Sequence, residues 1–79
     1  SEGTMFRFKP TGSVVADDFL RRSALHLATL TASQRVDWFD LFIPTVKSWP
    51  LSDNVDAFQK SLVMMTLDDW AEQSQERAA

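Results

Sequence analysis

The 79-residue sequence contains no cysteine, a single histidine and only two glycines, and each shortage closes a route. Without cysteine there is neither a disulfide nor a thiolate metal site. His26 standing alone would leave a zinc ion to be held by carboxylates, an uncommon ligand set. Gly3 and Gly12 do not make a phosphate-cradling loop. No apolar run approaches the roughly 20 residues that span a bilayer, and no signal-peptide pattern is present, so the default expectation is a cytoplasmic protein. The net charge of −3 disfavours nucleic acid and anionic membrane as principal partners.

What is present is apolar and aromatic. Six phenylalanines and three tryptophans take the chain out of the disordered class. A single domain of this length gains only about 3–5 kcal/mol net from its core unless something else helps. With disulfide and metal gone, association with a second copy or another protein is the remaining staple.

Residues 1–4 precede Met5 and read as an expression remnant, with Met5 the natural start. Met5-Phe-Arg-Phe-Lys9 alternates apolar and basic residues, which predicts an extended arm over 5–12, closed by Pro10-Thr-Gly12. A helical domain follows over 13–73. Ser13 is the expected N-cap of a first helix over about 14–30, with Asp17 and Asp18 near its positive end. On the helical wheel, Val15, Ala16, Phe19, Leu20, Ala24, Leu27 and Leu30 share one arc. Thr31-Ala-Ser-Gln34 has the form of a capping box and predicts a second helix from Ala32. There Val36, Trp38, Phe39, Leu41, Phe42 and Ile43 cover far more than the roughly 100° stripe of a surface helix, which places this helix at the centre of the fold. Pro44 predicts a stop or kink at Ile43, with Val46 and Trp49 on a further turn.

Trp49-Pro50-Leu-Ser52 reads as a loop. Ser52 or Asp53 is the expected cap of a third helix presenting Val55, Phe58, Leu62 and Met65. Thr66-Leu-Asp-Asp69 reads either as the start of a fourth helix or as part of one longer bent helix. Residues 74–79, polar on all sides, read as a fraying tail. The expected fold class is all-α: a compact bundle of three to four short helices with an extended N-terminal arm.

No residue set is assigned to catalysis, a metal or a cofactor, and the expectation is a protein that is not an enzyme. The acidic pairs Asp17/Asp18, Asp37/Asp40, Asp53/Asp56 and Asp68/Asp69 fall mostly in first turns of predicted helices, where the dipole favours negative charge. His26 lies at the edge of the first apolar arc, where packing with one nitrogen in water competes with a proton-transfer role. The serines carry no nucleophile-elbow motif. A helix-turn-helix over 27–36 fails because its second helix would be apolar and acidic rather than basic. Nucleic acid remains the alternative reading, through Arg7 and Lys9 beside Phe6 and Phe8, with Arg21 and Arg22 on the first helix.

The string Leu30-Thr-Ala-Ser-Gln-Arg-Val-Asp-Trp-Phe39 resembles a segment of the tail assembly chaperones of lambda-like phages. That resemblance implies a protein that shields another protein's apolar surface. Any capped amphipathic helix carries the same pattern, so no family is assigned on it. The principal expectation is protein–protein interaction, as an adaptor or assembly factor that self-associates or binds another protein. Trp38, Phe39, Phe42, Trp49, Trp70, Phe6 and Phe8 are the expected anchors, and Asp37, Asp40 and Lys47 the polar rim. The competing outcome is an arm that folds back and closes the core of an ordinary monomer.

Overall fold

The computed structural model describes residues 6–51 and 55–78. Three helices account for the fold, and no strand occurs among the described residues: α1 (Val14–Leu27), α2 (Ala32–Lys47) and α3 (Ala57–Ala78). Ser13 opens α1, its hydroxyl accepting from the Ala16 amide at 3.2 Å. The chain then needs only 28–31 to turn, and both halves of the Thr31/Gln34 capping box are made, at 2.9 and 3.2 Å. Arg35 ties the junction together. Its Nε donates to the Leu27 carbonyl at 2.8 Å, satisfying the end of α1, while its guanidinium lies 5.5 Å from the centre of the Phe6 ring.

Three expectations for helix ends are corrected. α1 stops at Leu27 rather than near Leu30. Pro44 does not stop α2, which continues to Lys47. Val46 on that last turn is fully buried, and Ser48 and Trp49 close the turn through their amides onto Pro44, Thr45 and Val46. That burial, worth about 1.5–3 kcal/mol, offsets the one hydrogen bond proline removes. The stretch 74–79 is helical through Ala78, with Ser74 buried.

Asp56 caps α3: its carboxylate accepts from the Gln59 amide at 2.8 Å and its carbonyl from Lys60 at 2.9 Å. The expected caps Ser52 and Asp53 lie outside the described residues. There is no break at Thr66, and α3 is one helix of 22 residues. Asp68 and Asp69 are therefore mid-helix and have no role as caps.

The helices surround Leu20, Leu27, Phe39, Val46, Val63, Leu67 and Trp70, all essentially without solvent contact. α2 and α3 run antiparallel: Ala32 and Arg35 share a small cavity with Gln73 and Ser74, while at the other end the Lys60 ammonium donates to the Lys47 carbonyl. α2 is a wall of this core rather than its enclosed centre, since Leu41, Asp37 and Asp40 face solvent. The arm is the fourth wall. Phe6 is buried against Phe39 and Trp70, and the Trp70 indole N–H donates to the Arg7 carbonyl at 3.2 Å.

Candidate partner-binding surface

The seven expected anchors divide into two groups. Phe6, Phe39 and Trp70 belong to the core, so the structure places their rings beyond a partner's reach. Phe8, Trp38, Phe42 and Trp49 are half-buried around it. Three of these form a ladder along the seam between α1 and α2. Trp38 stacks on Phe42 at 4.5 Å, Phe42 on Phe19 of α1 at 5.7 Å, and Phe19 meets Trp49 edge-on at 5.1 Å. Rings paired in this way contribute about 0.5–1.5 kcal/mol each beyond their buried area, so much of their surface is already in use. The expected rim residues Asp37, Asp40 and Lys47 are exposed on α2, but they do not frame the open apolar surface described next.

That surface lies elsewhere. A groove of about 410 Å³ is lined by Val14, Val15 and Phe19 of α1, by Trp49 and Val55 of the connection, and by Val63 of α3. Asp18, Arg21 and Arg22 border it. Of the expected anchors, Trp49 alone lines it. α1 makes this groove because the Ser13 cap starts the helix two residues before its core face begins at Ala16. Val14 and Val15 are thereby left on the first turn, outside the core.

The second open surface is on α3. Val55, Phe58, Leu62 and Met65 were expected as the apolar stripe of this helix, but Val55 precedes α3, Phe58 is 66% and Met65 69% exposed, and Leu62 is half-buried. The buried face is instead Val63, Leu67, Trp70 and Ser74, roughly opposite on the wheel. Leu41 on α2, at 77%, and Leu51 in the connection add to the apolar surface in water. Scattered single apolar residues are ordinary; a groove and a helix stripe on one small chain are not.

The charged groups are arranged as follows. Asp18 pairs with both α1 arginines, at 2.9 Å to Arg21 and 3.1 Å to Arg22, so half of the anticipated basic cluster is matched by an acid. Arg7, Phe8, Arg21 and Leu25 line a separate hollow of about 290 Å³ beside the arm. Asp17 accepts from the Thr11 hydroxyl at 2.7 Å and the Thr11 amide at 2.9 Å, and these two bonds hold its carboxyl below the usual carboxylate range. His26 is exposed, its ring 6.2 Å from Trp38. Among the described residues, no group of three or more His, Asp or Glu is placed to hold a metal ion, and no helix is long and apolar enough to cross a membrane.

Sequence reasoning missed both open surfaces. Val15 was hidden by its place on the apolar arc of the first helix, an arc that leaves Val14 out, and Phe58 and Met65 by a helical spacing that suits a buried stripe equally well. The exposure of Val14 was legible from its distance to Ala16 on the wheel. Comparison of the chain with protein-family models, with curated proteins and with solved structures finds no match in any of the three.

Proposed function

We propose that this chain is a non-enzymatic protein-binding module, an adaptor or assembly factor that receives another protein, or a second copy of itself, on apolar surface its own helices leave open. The observation that carries the reading is the open groove between Val14, Val15, Phe19, Trp49 and Val55. An apolar side chain seated there gains about 25 cal/mol for each Å² removed from water, and Asp18, Arg21 and Arg22 at the border supply orientation.

Photo-cross-linking tests it. With p-benzoylphenylalanine in place of Val15, irradiation in an extract of the source cell should give a discrete adduct, of twice the chain's mass for self-association or of another defined mass for a partner. A Val14→Glu substitution in the same chain should reduce that adduct severalfold. Irradiation that yields only the free chain defeats the proposal.

A further inference from the structure

The outer face of α3 carries a pattern that the core does not use. Phe58, Leu62, Met65, Asp69, Glu72 and Glu76 follow one another at intervals alternating between four and three residues. This is the spacing of a heptad seam, and it keeps all six on one face of a helix over about 27 Å. The three acids are exposed, as are Phe58 and Met65, with Leu62 half-buried between them. Because α3 runs unbroken through Thr66, the two halves of the stripe are collinear. One half is apolar and the other acidic.

We infer that this stripe is a docking face for an amphipathic helix of a partner protein whose contact face is apolar over one half and basic over the other. The inference rests on reading the chain as a protein-binding module, but uses a face separate from the groove at Val15. Charge selects the occupant. Two copies of α3 side by side in parallel would set Asp69, Glu72 and Glu76 against their own kind. Two fully overlapped antiparallel copies would bury acids against Phe58 and Met65. A helix with lysine or arginine opposite the acids meets neither obstacle, and its leucine-like residues cover Phe58, Leu62 and Met65 as a helix lying along a seam does. The chain's own apolar–basic segment, Phe6-Arg-Phe-Lys9, cannot serve, because Phe6 is committed to the core.

The probe is a labelled three-heptad synthetic peptide with leucine at the seam positions of one half and lysine at those of the other, titrated against the full chain by fluorescence anisotropy. A twin peptide with glutamate in place of lysine is the control. The lysine peptide should bind saturably and at least about tenfold more tightly than its twin, a comparison that needs no variant of the protein. The triple substitution Asp69→Lys, Glu72→Lys and Glu76→Lys should invert that preference. Phe58→Ser with Met65→Ser should weaken the lysine peptide by about tenfold, with helical content checked by circular dichroism. Equal binding of the two peptides, or binding indifferent to Phe58 and Met65, overturns the inference. So does a dimer in sedimentation equilibrium that Phe58→Ser dissociates. If the peptide fails while the cross-link at position 15 persists, this face is wrong and the broader reading stands; loss of both removes both.

Discussion

The two ends of this bundle are built from the same helices and treated differently. At one end the start of α2 meets the end of α3, and the arm closes the space: Phe6 sits on Phe39 and Trp70, and Arg35 covers Phe6. At the other end the start of α1 meets the Trp49–Val55 connection, and an apolar groove is left open. The closed end shows what open apolar surface in this fold accepts, namely the aromatic ring of Phe6, held there by the next residue's backbone, since the Arg7 carbonyl accepts from the Trp70 indole. The open end has the rings but lacks the plug. Stability should therefore be concentrated where the arm binds, and capacity for binding where it does not reach.

The largest effect expected from that contrast is at Trp70. Trp70→Ala leaves a hole under the arm and removes the donor that holds Arg7, at a cost of about 3–5 kcal/mol. That is comparable to the whole net core contribution of a chain this short, so the cooperative thermal transition seen by circular dichroism should disappear. A variant that still melts within a few degrees of the parent would show that the arm is decoration. The difference between the ends would then be one of shape alone.

The complementary change is at the open end. Val15→Ser, on the groove wall, should alter stability by no more than about 0.5 kcal/mol, because the side chain is partly in water already and leaves no buried gap. Urea denaturation midpoints of the Val15→Ser chain and its parent, measured side by side, give that difference directly. A large loss at Val15 would mean that the groove is part of the core and would remove it as a binding surface.

How much of this was legible in the sequence depended on the range of the interaction that decides each feature. Helix starts at Ser13 and Thr31 are decided within four residues, by a hydroxyl and the amides it accepts from, and the structure has them as expected. The all-α class follows from the same local signals. The face of α3 is not local. Val55, Phe58, Leu62, Met65 and Val63, Leu67, Trp70, Ser74 are both helically spaced sets, and nothing within the helix ranks them. Packing against α2 and the arm ranks them: α2 lies along α3, Phe6 and Phe8 both pack against Trp70, and the Arg7 carbonyl between them accepts its indole proton from across the whole chain. The surplus of apolar residues noticed around Trp38 and Phe42 was real as a count but misplaced. Flat rings are consumed by stacking along the α1–α2 seam, and the surface in excess falls to valine, leucine, methionine and Phe58.

The smallest effect lies where the two regions join, at the turn that carries the arm into α1. Gly12 there has φ of +89°, a left-handed conformation that glycine adopts without strain, and the turn brings Thr11 back over Asp17. The Asp17 carboxyl, held low first by the Thr11 hydroxyl and then by the Thr11 amide, binds its proton less readily folded than unfolded. Its contribution to stability is thus present above the unfolded carboxylate range and lost as pH falls through that range towards the lower folded value. Thr11→Val removes the hydroxyl donor and leaves the amide. The Asp17 carboxyl, followed by carbon NMR, should titrate at higher pH in the variant. Any stability deficit of the variant should be visible at neutral pH and shrink in acid. A Thr11→Val protein whose Asp17 titrates where the parent's does would mean that this clasp is not formed in solution, and that the arm is fixed to the bundle through Phe6, Arg7 and Phe8.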